Sequence, residues 1–197
     1  MISLLVVTAG YLAFHLWISW KMENTGHTYY TKRIQDGKVT PKVYDISHKL
    51  LPNWHDNVWI SHAFVLGMLT PLMFARNWSL FKEFLEYAIV LFFIRDITTF
   101  VTILPKYKDD PEPSNALSSS TFNGAYGKIF SGHFAIVFLA SLLYAKYNFI
   151  TNTNLLIGLN VLNALLILLT RHHYTIDVIV AFFVTMTIWC KQLKLNF

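Results

Sequence analysis

Six apolar runs fix most of what this chain can become: Ile2–Trp20, Val58–Ala75, Tyr87–Leu104, Phe134–Ile150, Leu155–Leu169 and Tyr174–Gln192. Most approach the roughly 20 residues that an α-helix needs to cross a bilayer. Of the 197 residues, 54% are hydrophobic and only 14% are charged, whereas about a quarter of a soluble domain is charged. A soluble domain would have too few charged residues to cover these runs. Sixteen Phe, ten Tyr and six Trp suit bilayer-facing and interfacial surfaces. The expected fold is all-α: an integral membrane protein with one domain, a bundle of six transmembrane helices.

The first run lacks a basic leader and a small-residue cleavage site, so it reads as a retained helix rather than a signal peptide. Lys21–Asn57, with Pro41 and Pro52, is expected to be a polar interfacial segment. Pro105–Phe130 reads as a loop, with Pro111, Pro113 and the run Ser118-Ser119-Ser120 at a mobile tip. Thr151-Asn152-Thr153-Asn154 reads as a tight hairpin between the fourth and fifth runs. The net charge of +5 fits basic loops lying on anionic headgroups. Nothing resembles a nucleic-acid module, and nucleic acid is not an expected partner. The single cysteine, Cys190, excludes an intrachain disulfide framework and a Cys-rich metal site.

Six spans place both termini on one side of the membrane. The loops before spans 2, 4 and 6 then share the other side. His133 opens span 4 and His173 opens span 6, so parity alone brings both histidines to one face.

Asp177 follows His173 by four residues, which on a helix puts both side chains on one face. A carboxylate there fixes the imidazole tautomer and leaves the other nitrogen as a nucleophile or base. The plain alternative is a His–Asp pair that ties two helices together. Ser131-Gly132-His133 lies at an expected helix start, where Gly allows close backbone approach and free N–H groups favour phosphate. Ser131 serves equally well as a simple N-cap. Arg95, beside Asp96 in the third run, is a candidate phosphate ligand, or else half of a salt bridge to Asp177 or Glu86. Asp96 itself is expected to point elsewhere.

Arg171 adds a guanidinium at the mouth of span 6, next to His172 and His173. The two adjacent histidines diverge on a helix and are poor co-ligands for one metal. A zinc set of His133, His173 and Asp177 is conceivable, but the His-Glu-x-x-His spacing is lacking, and neither metal nor cofactor is expected. His15, His27, His48, His55 and His62 are scattered and read as structural or interfacial.

Ser131-Gly132-His133 followed by His173-Tyr174-Thr175-Ile176-Asp177-Val178 resembles the sphingomyelin synthase family, within the wider type 2 phosphatidic acid phosphatase superfamily. Arg95, Ile97, Thr98, Val101, Thr102, Leu104 and Pro105 are similar to that family's arginine-containing helix, and Leu51-Pro52-Asn53 is similar to its segment before the second span. The matching order covers about residues 50–190. Plant phosphatidylcholine:diacylglycerol cholinephosphotransferases have similar motifs. In place of the family's Cys-Gly-Asp this chain has Gly124-Ala125-Tyr126-Gly127-Lys128.

The resemblance implies a lipid phosphotransferase with His173 as nucleophile, Asp177 as its orienting acid and His133 as acid and base. Arg95, Arg171, Ser131 and Gly132 would hold the phosphate. The implied partners are membrane lipids: a phospholipid donor and a ceramide or diacylglycerol acceptor. A lipid phosphatase using water and a non-catalytic lipid-binding protein are the competing readings. The implied location is an endomembrane or the plasma membrane, with the site on the lumenal or extracellular side. The loops on that side hold ten Lys and Arg against about five opposite, and by the positive-inside rule this places the same face in the cytoplasm.

Overall fold

The computed structural model describes residues 2–38, 43–74, 76–107 and 126–195. Pro41, Ala75, Pro111, Pro113, the Ser118–Ser120 run, Gly124 and Ala125 lie outside the described residues. Among the described residues all regular structure is helical. The elements are α1 (Ile2–Gln35), α2 (Ile46–Leu50), a short 3-10 turn (His55–Asn57), α3 (Val58–Phe74), α4 (Trp78–Val101), α5 (Gly132–Lys146), α6 (Thr153–Leu169) and α7 (Thr175–Cys190). The six long helices match the six apolar runs in order.

The largest departure from expectation is α1, which continues fifteen residues past Trp20 into the polar segment. Tertiary contacts hold this extension. The Glu23 carboxylate accepts the backbone N–H groups of Tyr126 (3.0 Å) and Gly127 (3.1 Å). Tyr30 stacks on Tyr126 with ring centroids 5.6 Å apart and donates to the Ile103 carbonyl. Gly26 lies directly against the Tyr126 ring, leaving no room for a Cβ. The helix ends where Gly37 takes a left-handed φ of 70° and Lys38 N–H returns to the Arg33 carbonyl.

α4 also begins nine residues before the third apolar run, at an Asn77 cap that accepts Leu80 N–H. Its polar first turns survive because their charges are paired. Glu83 accepts Lys146 (2.6 Å), Lys194 (2.8 Å) and Tyr147 (2.9 Å). Two further starts follow the same capping chemistry, with Ser131 capping α5 and Asn152 capping α6.

The contacts define an up-and-down arrangement. Tyr11 and His15 of α1 meet Asp96 while Tyr30 meets Ile103, so α1 and α4 run parallel. Lys146 at the end of α5 meets Glu83 at the start of α4, so these two are antiparallel. α5 is the central helix, packing against α3, α4, α6 and α7, while α1 lies on α4. Val137, Leu139, Ala140, Leu143 and Tyr144 of α5 are fully enclosed. The outer surface is apolar: Met73 is 76% exposed, Val101 71% and Phe183 63%. Two helical stretches, Leu4–Gln35 and His55–Phe74, are long and apolar enough to cross a membrane, while α5, α6 and α7 are shorter apolar helices.

Candidate active site

The starts of α3, α5 and α7 meet at one end of the bundle, and four histidines converge there. His62 lies near the start of α3, and His133 is in the first turn of α5, fixed by the Ser131 side chain accepting Phe134 N–H. His172 and His173 follow α6 in a turn, not on a helix. Arg171 takes a left-handed φ of 58° in that turn, where His172 N–H bonds back to the Ile167 carbonyl. The chain reverses sharply enough that the adjacent histidines face the same space. This corrects the expectation that they diverge, which assumed helical geometry. Ring centroids lie 4.6 Å apart for His133 and His172, 5.0 Å for His172 and His173, and 6.3 Å for His133 and His173. His62 completes the group, with Nδ1 2.8 Å from His133 Nε2 and its ring 5.1 Å from that of His172.

The tautomer of His173 follows from its neighbours. Nδ1 lies 3.0 Å from the Lys128 carbonyl and 3.3 Å from Asp177 Oδ2. Both are acceptors, so Nδ1 carries the proton and Nε2 keeps its lone pair. Asp177 shares this task with Lys128, and its closer contact is with Tyr174 N–H at 2.9 Å, which starts α7.

The segment before the second span braces the same turn. Asp45 accepts Thr175 N–H (2.6 Å) and Oγ1–H (2.9 Å), Ser47 Oγ–H (2.6 Å) and His48 N–H (3.0 Å). Burial opposes ionisation of Asp45, but these hydrogen bonds outweigh it and pull the carboxyl down to about 2. His48 Nε2 lies 3.0 Å from the His173 carbonyl, and burial, against the pull of Asp45, lowers its pKa. Burial foremost, then the neighbouring His133 and His173, holds His172 well below the ordinary imidazole range.

Arg95 stands under the start of α5. A Cβ on Gly132 would lie 3.4 Å from its Cδ and Nε, so Gly132 gives the guanidinium its seat. Among the described residues Arg95 pairs with Asp96, Nη1 to Oδ1 at 3.8 Å, rather than with Asp177 or Glu86, and its Nη2–H donates to the Gly127 carbonyl at 3.5 Å. The fully buried Asp96 is held chiefly from α1, by Tyr11 Oη (2.7 Å) and His15 Nδ1 (2.8 Å). Arg171 turns away and donates to the Leu51 carbonyl at 2.8 Å.

A cavity of about 470 Å³ runs from this cluster between α1, α3 and α4. His62, His133, His172, His173, Gly132 and Arg95 line it, and the rest is mostly apolar, as at Leu12, Leu16, Val65 and Phe92, with Thr8, Tyr11 and His15 the polar exceptions. Arg171, Ser131 and Asp177 are not among its lining residues. Among the described residues, His133, His172 and His173 form a set able to approach a metal, and Asp177, part of the set the sequence made conceivable, is not in it. Sequence reasoning missed His62, although the parity argument that joins His133 to His173 applies to it equally. It also missed Asp45 and His48, which no span argument reaches.

Residues 128–194, covering α5 to α7, match the family described as PAP2 superfamily C-terminal. This match supports the type 2 phosphatidic acid phosphatase superfamily and an enzyme acting on phosphate groups. Among curated proteins, none matches the chain.

Proposed function

We propose that this chain is a multi-pass membrane enzyme that moves a phospho-head group from a phospholipid to a lipid alcohol through a phosphohistidine. The observation that carries this reading is the cavity, which gathers four imidazoles and a guanidinium against walls that are mostly apolar, with Thr8, Tyr11 and His15 among the remaining lining. Such a space suits a molecule with a phosphate head and an acyl tail. The six alternating helices and apolar outer surface support the bilayer as its setting.

In the first step His173 Nε2 attacks phosphorus, and His133 gives a proton to the departing diacylglycerol oxygen as its bond to phosphorus breaks. In the second, His133 takes the proton of the acceptor hydroxyl. The acceptor oxygen then bonds to phosphorus, and the P–N bond electrons return to His173. Arg95 faces the charge that builds on the phosphoryl oxygens. Ser131 and Asp177 support from outside the cavity, one capping α5 and the other aligning the His173 turn. Arg171 serves the reading by anchoring that turn to Leu51 rather than by touching phosphate.

The superfamily match favours a second reading, hydrolysis with water as acceptor. Purified protein incubated with head-group-labelled phosphatidylcholine, with and without ceramide or diacylglycerol, separates the two. Transfer predicts label in a new lipid that depends on the acceptor. Label found only as free phosphocholine overturns transfer in favour of hydrolysis, and no release of label overturns both in favour of a non-catalytic lipid-binding protein.

A further inference from the structure

We infer that His133, His172 and His173 form a binding site for one divalent transition-metal cation of the zinc class, with His62 at its edge. The three imidazoles can each offer a nitrogen, and these atoms all lie within 4.8 Å of one another. A point shared by three such atoms lies no more than about 2.8 Å from each, so side-chain shifts of under about 1 Å reach the 2.0–2.1 Å of a Zn–N bond.

The surroundings supply what a metal-bound imidazole needs. Asp177 Oδ2 and the Lys128 carbonyl take the Nδ1 proton of His173, leaving Nε2 to coordinate. This is the carboxylate–histidine support that orients ligands and raises their basicity. Asp177 Oδ1 is buried without a hydrogen-bond partner, Oδ2 carrying the contacts to His173 and Tyr174, and the Lys128 ammonium donates to the His172 carbonyl at 3.3 Å. On the other wall Asp96 stands 3.8 Å from the Arg95 guanidinium and offsets it. The cavity gives the cation access. An all-imidazole set selects Zn²⁺, Ni²⁺ or Cu²⁺ over Mg²⁺ and Ca²⁺, which prefer oxygen.

Binding itself needs no lipid chemistry. One consequence rests on the proposed function: the metal occupies the lone pair that forms phosphohistidine, so metal-loaded and phosphorylated states exclude each other.

The test is Zn²⁺ uptake by the full-length chain in detergent, without lipid. The expected result is about one Zn²⁺ per chain, unaffected by excess Mg²⁺ and unchanged in H27A, with affinity at least tenfold weaker in H172A. Co²⁺ substitution gives a second reading that needs no variant: strong bands of a low-coordinate nitrogen site are expected. Absence of Zn²⁺ uptake, undiminished uptake by folded H172A, or the weak spectrum of hydrated Co²⁺ overturns the inference. None of these outcomes bears on the donor–acceptor assay, so the two readings fail separately.

Discussion

His62 Nδ1 lies 2.8 Å from His133 Nε2, an imidazole–imidazole hydrogen bond joining the starts of two helices. One proton must sit between these nitrogens, so His62 is coupled to the proton that His133 gives and takes in the proposed reaction. Replacing His62 by Phe keeps a ring but removes the bond. Steady-state kinetics should show kcat falling by roughly 10- to 100-fold with KM changed far less. An unchanged kcat would show that His133 works without this partner.

Gly132 is a second point where geometry makes a demand. Any Cβ there would lie 3.2 Å from a Phe92 ring carbon and 3.4 Å from Arg95. Alanine there only touches Arg95 and presses on Phe92, whereas the branches of valine reach past Cβ into the guanidinium's place. G132V should therefore displace it and lower turnover about tenfold or more for a stability loss of about 1–3 kcal/mol, with G132A affected far less. Activity and thermal unfolding measured on one preparation check this, and wild-type turnover in folded G132V would remove Arg95 from the phosphate.

The bundle was legible in the sequence because apolar runs and loop parity report directly on helices and their directions. What the runs could not show is where polar stretches stay helical. Lys21–Gln35 does so through Glu23 and Tyr30 binding Tyr126, and Trp78–Glu86 does so through Glu83 binding Lys146 and Lys194. Both depend on partners about sixty or more residues away. In the site, motifs singled out His133 and His173 and parity put them on one face, whereas the convergence of His172 depends on a left-handed Arg171. A left-handed arginine leaves no signal in composition or periodicity. Asp96 was expected to point away from Arg95, yet a long guanidinium can bend back along its own helix to 3.8 Å.

Asp45 should make the brace on α7 sensitive to acid. Its folded pKa of about 2 lies below the ordinary 3.8, so its contribution is complete above about pH 4 and fades as pH falls toward 2. Unfolding temperatures of wild type and D45N in detergent should differ near neutral pH and converge toward pH 2. A gap that persists undiminished at pH 2 would argue against an ionised Asp45 brace.

Glu83 lies at the opposite end of the bundle and separates stability from chemistry. E83A removes the shared acceptor of Lys146, Lys194 and Tyr147. Because Lys146 is 46% exposed, the loss should be about 1–3 kcal/mol rather than that of a fully buried pair. Unfolding by heat should occur earlier, with kcat and KM unchanged at low temperature.

The central claim is a covalent bond between phosphorus and His173. Purified protein is incubated with phospholipid labelled in its phosphate, quenched in alkali, digested and mapped. The account predicts acid-labile, alkali-stable label on the peptide carrying His173, absent from folded H173Q, whose turnover should drop at least about 1,000-fold. Turnover with no label trapped on that peptide, or full turnover by H173Q, would contradict it.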